Sequence, residues 1–248
     1  MSDFNRDFAR TVPTGRADMS VDVGLRSFML GVYNKMALGL VLSGALGWLT
    51  SAYPPVRDAM FNVSNGRVGY SILGMVVAFA PLAVLLFSGF AIKNQTEKTA
   101  GIVYWTVVSL IGASMGVLAL RYTGASIAST FLITATAFGA LSLIGYTTKK
   151  DLTAMGSFLI MGVWGLIAAS IVNIFLGSGM MSFIISILGV GIFAGLTAYD
   201  TQKLKMTYYE LGGDTRAMGV ATNYGALSLY LDFINLFQFL LAIFGNRR

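Results

Sequence analysis

Seven long apolar stretches dominate this chain and restrict what it can fold into. They lie at about residues 28–52, 69–92, 101–121, 125–147, 153–176, 181–202 and 221–244. Each has roughly 20 residues or more, enough as an α-helix to cross a hydrocarbon layer of about 30 Å. Backbone groups in lipid must form their hydrogen bonds internally, so such segments have to be helices. The sequence therefore predicts an all-α integral membrane protein, a bundle of seven transmembrane helices.

The composition agrees with this prediction and excludes several kinds of chemistry. Of the 248 residues, 56% are hydrophobic and 11% are charged, whereas a soluble domain carries roughly 25% charged residues. The chain has no cysteine and no histidine, which excludes disulfides, histidine-bearing zinc sites and Ser-His-Asp catalysis. The formal net charge of +6 is modest. We interpret its basic residues as membrane topology signals and expect no nucleic-acid partner.

The first 27 residues are polar and differ from the rest of the chain. They contain four arginines and four aspartates, without an apolar stretch or a small-residue cleavage site, so they do not read as a cleaved signal peptide. We expect a disordered cytosolic arm over residues 1–27, followed by one seven-helix transmembrane domain over residues 28–248.

Basic residues predict the orientation in the membrane. With the N-terminus in the cytosol, eleven lysines and arginines fall inside: Arg6, Arg10, Arg16, Arg26, Lys93, Lys98, Lys149, Lys150, Lys203, Lys205 and Arg216. Five fall outside: Arg57, Arg67, Arg121, Arg247 and Arg248. This excess predicts a cytosolic N-terminus, and Lys35 in the first helix is expected to snorkel to the interface. The last two arginines favour the opposite side, so a last segment that re-enters without crossing stays open as an alternative.

Two acidic residues lie within the apolar segments, where a carboxylate costs about 2.5–3.5 kcal/mol and normally faces the bundle interior. Asp232 is about 16 Å deep in the last segment by helix rise. Ser228, four residues before it, and Asn235, three residues after it, share its helix face. Asp200 lies nearer the cytosolic end of its helix, with Thr197 and Lys203 three residues away on either side. A solvated acid at a helix end is the alternative for Asp200.

Two carboxylates brought together in a low dielectric should not both ionise, so one should hold a proton. Such a pair can also attract a hard cation through its oxygens. Asp200 and Asp232 are therefore the candidate pair for sensing protons and binding a hard cation. Lys93 is the candidate counter-charge, with a plain topology anchor as its alternative. Asn173 and Tyr199 are weaker candidates for the same polar core, and ordinary interhelical hydrogen bonding explains them equally well.

The residues around these aspartates resemble a known family. The stretches at 193–204 (FAGLTAYDTQKL) and 227–237 (LSLYLDFINLF) resemble the signature of the transmembrane Bax inhibitor motif family. The stretch at 146–152 (YTTKKDL) is similar to the loop before the fifth helix in its bacterial branch. The resemblance covers the chain from about residue 26 to the end.

This resemblance implies a seven-helix fold with a central last helix, in the bacterial inner membrane. It also implies a pH-sensitive calcium leak gated by paired aspartates, which are Asp200 and Asp232 by motif. In some members an arginine at the end of the second helix latches to the pair. Residues 90–95 contain no arginine, and Lys93, a point charge, does not reproduce a bidentate guanidinium clamp.

Two hypotheses of different classes follow from the residues and the resemblance. The first is a channel or leak pathway in which protons and calcium compete for the aspartate pair, with calcium as transported ion and no resident cofactor. The second is a membrane-embedded regulator that binds a membrane-bound AAA protease or other membrane proteins without conducting ions. We expect no enzyme activity, because an intramembrane aspartyl protease would need a Gly-x-Gly before its aspartate, and residues 229–231 are Leu-Tyr-Leu.

Overall fold

The computed structural model describes residues 22–64, 67–91 and 95–248. The elements in this part of the chain are α1 (Val23–Ala52), α2 (Pro54–Met60), β1 (Phe61–Ser64), β2 (Arg67–Tyr70), α3 (Ile72–Ala91), α4 (Glu97–Ser114), α5 (Gly116–Arg121), α6 (Gly124–Thr147), α7 (Thr153–Leu176), α8 (Gly179–Leu211) and α9 (Thr215–Phe244).

Seven spans in the described part of the chain are long and apolar enough to cross a membrane: α1, α3, α4 together with α5, α6, α7, α8 and α9. This confirms the predicted seven-helix membrane fold. Side chains start several of these helices in the ordinary way. At the start of α6, the Thr123 side chain accepts a hydrogen bond from the Ser126 amide. At the start of α9, the Asp214 side chain accepts hydrogen bonds from the amides of Arg216 and Ala217. Each such cap satisfies a backbone donor that has no partner within its helix.

Three predicted boundaries differ from the structure by about five residues or more. α1 begins at Val23 because the Asp22 carboxylate accepts a hydrogen bond from the Leu25 amide, 2.9 Å away. Residues 23–27, predicted as part of the disordered arm, are therefore helical, and residues 1–21 of that arm lie outside the described part. α8 continues to Leu211 and α9 begins at Thr215. Hydropathy misses these ends because their turns are polar.

The connection between α1 and α3 also holds structure that the apolar pattern did not predict. It contains the short helix α2 and an antiparallel hairpin in which Phe61 pairs with Tyr70 and Val63 with Val68. Arg121, at the end of α5, donates hydrogen bonds to the Val68 carbonyl at 2.6 and 3.0 Å. We call this side of the bundle the hairpin end.

The opposite side is the Asp22 end, where Asp22 accepts a hydrogen bond from the Tyr208 hydroxyl at 3.3 Å. The C-terminal residues lie at the hairpin end, where the Arg248 amide donates a hydrogen bond to the Arg121 carbonyl. The Asn246 carbonyl accepts a hydrogen bond from the Thr123 amide, and the Asn246 amide donates one to the Ser126 hydroxyl. α9 therefore crosses the bundle completely, and the two ends of the described chain lie on opposite sides. A re-entrant last segment, the alternative left open by the charge count, is wrong.

The last helix lies at the centre of the bundle. α9 packs against α1, α4, α6 and α8, whereas α3 packs mainly on α4 and α7 on α8. Its buried side chains include Leu229, Tyr230 and Leu241, which are fully buried. The central last helix is therefore present, and it brings Asp232 to the middle of the bundle.

Candidate functional site

Asp200 and Ser228 meet where the antiparallel helices α8 and α9 pack together. The Ser228 hydroxyl donates a hydrogen bond to Oδ2 of Asp200. Asp200 is half-buried, and α8 continues for eleven residues beyond it, to Leu211. It is therefore not an acid at a helix end, and the alternative interpretation of this residue is wrong.

Asp232 lies one helical turn beyond Ser228 on the same face of α9, with about 5–6 Å between the two Cβ atoms. Its side chain is 4% exposed, and its Oδ2 has no hydrogen-bond partner in the described part of the chain. Because Ser228 bonds Asp200 and lies one turn from Asp232, the two carboxylates lie near each other at the contact of α8 and α9. The structure thus brings together the two aspartates that the sequence singled out, with Ser228 beside both.

No basic side chain forms an ion pair with either aspartate in the part of the chain that the structure describes. The one ion pair among the described residues joins Nε of Arg57 to Oδ1 of Asp58 at the hairpin end, 2.8 Å apart. Lys203, one turn from Asp200, is exposed and lies over the Tyr199 ring at 6.0 Å. Lys93, the candidate counter-charge, lies outside the described residues.

The other predicted supporting residues bond elsewhere. Thr197 is fully buried, and its hydroxyl donates to the carbonyl of Phe193 in its own helix at 2.8 Å. The amide group of Asn235 likewise donates to Leu231 at 2.8 Å. Neither residue hydrogen-bonds the two carboxylates in the described part of the chain.

Tyr199 and Asn173 do not belong to the polar core, and for Asn173 the alternative, ordinary interhelical hydrogen bonding, is what the structure shows. The Tyr199 ring packs on α7, where a Cβ added to Gly156 would come within 2.4 Å of it. Asn173 connects α7 to α8, since its amide group donates to the Ser182 hydroxyl at 2.7 Å and its oxygen accepts from the Ser178 amide. Spacing within one helix does not fix which neighbour that face meets.

A polar stripe on α6 was not predicted from the sequence. Its members are buried hydroxyl side chains facing α8 and α9: Ser126, Thr130, Thr134 and Ser142. Thr201, next to Asp200, donates a hydrogen bond to the Ser142 hydroxyl at 3.2 Å. The signal was present in the sequence, because four-residue spacing of Ser and Thr in an apolar helix places them on one face. The stripe runs from the hairpin end toward the aspartates.

A second polar cluster lies between α1, α4 and α9. Lys35 does not snorkel as expected: its Nζ donates to Oδ1 of Asn223 at 2.5 Å. Asn223 is 1% exposed and donates in turn to the backbone carbonyls of Gly219 and Glu97. Tyr104 completes the cluster by donating to the Lys35 carbonyl at 2.7 Å. Lys35 turns inward because α1 begins early, which places it about 18 Å along the helix.

The aspartate pair offers few ligands for a resident metal. Calcium takes six to eight oxygen ligands, and the described residues contain no group of three or more acidic, histidine or cysteine side chains placed to hold an ion. Two carboxylates and one hydroxyl suit a passing cation or a shared proton better than a permanent site.

Comparison with known proteins agrees with these features. The family model described as inhibitor of apoptosis-promoting Bax1 matches residues 25–248. A Caulobacter vibrioides protein is 67% identical over the whole of both chains. A Rickettsia prowazekii protein is 44% identical, covering 98% of this chain and 99% of the relative. The inner membrane protein YbhL of Escherichia coli K12 is 40% identical over 91% of this chain and 94% of its own.

Proposed function

The chain belongs to the Bax1-I family, inhibitor of apoptosis-promoting Bax1, and we propose that it is a pH-sensitive cation leak channel of the bacterial inner membrane. Calcium is the ion that we expect it to pass, and the Asp200–Asp232 pair is the sensor. The name of the Escherichia coli relative supports the location. The orientation proposed from the basic residues puts the Asp22 end in the cytosol.

The buried state of Asp232 is the observation that carries this proposal. A 4% exposed carboxylate with an oxygen that lacks a hydrogen-bond partner is costly when ionised, above all beside a second carboxylate. Residues of this kind inside membranes mark ion and proton pathways. In the closed packing the pair shares one proton, and its loss places two repelling charges in the centre of the bundle.

Repulsion between two ionised aspartates favours a different packing of α8 against α9, and the same charge attracts a divalent cation. Protons and calcium therefore compete for the pair, and pH shifts the equilibrium between closed and open packings. The α6 stripe supports this account, since its hydroxyls offer oxygen atoms between the hairpin end and the pair. Those side chains are buried, which fits a closed packing.

Calcium flux into proteoliposomes tests the proposal. Asp200→Asn and Asp232→Asn should each alter the pH dependence of the flux, whereas Asp58→Asn, an exposed acid at the hairpin end, should leave it unchanged. Flux with the native pH dependence in both core variants would falsify the assignment of the sensor.

The alternative function is a membrane-embedded regulator that binds a membrane-bound AAA protease or other membrane proteins and conducts no ions. Neither function includes catalysis. Deleting residues 1–24 separates the two functions when partner capture and flux are measured independently. Loss of partner binding from protein that shows no flux at any pH would favour the regulator.

A further inference from the structure

A cleft between α1 and α6 opens on the lipid-facing side of the bundle at the Asp22 end. Its volume is about 610 Å³, within the range of sites that bind small molecules. Its inner part is apolar, with Met29, Leu30, Phe138 and Leu143 among its lining residues. Polar lining residues stand near the helix ends that form its mouth, namely Asp22, Arg26 and Tyr146, while Ser142 lies deeper along α6.

The depth of the cleft corresponds to one leaflet of a bilayer. Its wall on α1 runs from Asp22 to Tyr33, which is about 16 Å by helix rise and about half of a 30 Å hydrocarbon layer. Phe138 closes the inner end, packing edge-on against Phe233 of α9 with ring centroids 5.5 Å apart. A cavity of this shape, open sideways to the bilayer, fits an acyl chain.

Charge at the mouth favours an anionic headgroup. The Asp22 carboxylate is already engaged, since it accepts hydrogen bonds from the Leu25 amide and the Tyr208 hydroxyl. Arg26 is exposed and has no carboxylate within ion-pair distance in the described part of the chain. Behind the mouth, the buried Lys205 donates to the Tyr146 carbonyl at 3.0 Å. Arg26 is the only basic residue among the described ones that line the cleft, and the one acidic lining residue is already occupied.

We propose that this cleft binds one anionic phospholipid of the leaflet at the Asp22 end. An acyl chain lies along Met29, Leu30 and Leu143, and the phosphate meets the Arg26 guanidinium, which suits bidentate contact with phosphate oxygens. The site is separate from the aspartate pair, and the proposal does not depend on ion conduction.

Site-directed quenching tests this lipid site, because the chain has no cysteine and a single introduced one can be labelled cleanly. Leu30→Cys and Leu143→Cys each place a bimane label in the cleft. Leu132→Cys, on the exposed side of α6, places one in ordinary contact with lipid. Each labelled protein is reconstituted in nanodiscs that contain brominated phosphatidylglycerol or brominated phosphatidylcholine.

Both cleft labels should be half-quenched at an about fivefold lower fraction of brominated phosphatidylglycerol than of phosphatidylcholine, the preference that one basic residue near the surface supplies. The Leu132→Cys label should show no preference. Arg26→Gln should abolish the preference at the cleft labels, while Arg216→Gln, an exposed arginine at the same end of the bundle, should leave it intact.

Three results would overturn the proposal. The first is equal quenching by the two lipids at both cleft labels, and the second is a preference that survives Arg26→Gln. The third is an equal rise in quenching by both lipids when residues 1–21, which directly precede Asp22, are deleted, because that would mean that this segment fills the cleft.

Discussion

The Ser228 hydroxyl of α9 donates a hydrogen bond to the Asp200 carboxylate of α8, one turn away from the buried carboxylate of Asp232. This contact joins the two family motifs across a helix interface. It also gives Asp200 a donor that Asp232 lacks, because Oδ2 of Asp232 has no partner in the described residues. The two acids therefore differ in environment although both lie in the bundle interior.

Removing the Ser228 hydroxyl should shift the pH response without abolishing it. In Ser228→Ala an ionised Asp200 loses a hydrogen bond to a charged group, which is worth about 1.5–3 kcal/mol. We expect the pH of half-maximal calcium flux to rise by about one unit or more. Ser228→Thr keeps the hydroxyl and is the matched control. An unchanged midpoint in Ser228→Ala would mean that this hydrogen bond does not influence the sensor.

Lys35 should contribute to stability through its bond to Asn223. Lys35→Ala leaves the buried Asn223 oxygen without its donor, and interhelical hydrogen bonds in membranes are worth about 1–2 kcal/mol at most. We expect a lower midpoint of thermal unfolding in detergent, with no change for Lys98→Ala, whose side chain is exposed on α4. Equal midpoints for both variants would show that Lys35 is held no more firmly than a surface lysine.

Gly145 should be far less tolerant of a side chain than Gly139 on the same helix. A Cβ on Gly145 would lie 2.1 Å from the backbone carbonyl oxygen of Ala198, whereas one on Gly139 meets nothing within 4 Å. Gly145→Ala should cost about 1–3 kcal/mol and displace α8 close to Asp200. Gly139→Ala should be neutral or slightly stabilising, since alanine favours helices. Thermal unfolding of the two variants decides the matter, and similar midpoints would contradict the close approach of α6 and α8.

Asp151, in the loop between α6 and α7, should stabilise the start of α7 only while it is ionised. Hydrogen bonds from the Thr153 hydroxyl and amide lower the pKa of Asp151. A lowered pKa means that the stabilisation is present above the unfolded value, near pH 4, and is lost as the pH falls through the folded value. The thermal midpoints of Asp151→Ala and the native chain should therefore differ at about pH 7, and this difference should shrink as the pH falls below about 4. A constant difference would exclude the ionised form as the cause.

Much of the fold was predictable, because crossing a bilayer imposes length and hydropathy directly on the sequence. The seven spans follow from that constraint, as does the inward position of Asp232. Helix ends beyond the lipid were not predictable in this way, since the last turns of α8 are polar and end at Leu211. The hairpin at Phe61–Tyr70 was missed because two four-residue strands leave no periodic signal of useful length.

The site was predictable only as far as composition and spacing reach. An acidic side chain within an apolar segment is costly in lipid and is therefore expected to face the bundle interior. This is why Asp200 and Asp232 could be identified from the sequence. The partners of Lys35 and Asn173 did not, because spacing along one helix says which residues share a face but not which helix lies opposite. The stripe on α6 was readable from its spacing but carries no charge that draws attention to it.

The most direct test of the account is calcium flux into proteoliposomes between about pH 5 and about pH 8, for the native chain and for Asp232→Asn. We expect a native flux that changes across this range and a variant flux that stays nearly constant, because one carboxylate alone cannot share a proton. An Asp232→Asn protein that is folded and keeps the native pH profile, or a folded native protein without flux at any pH, would contradict it.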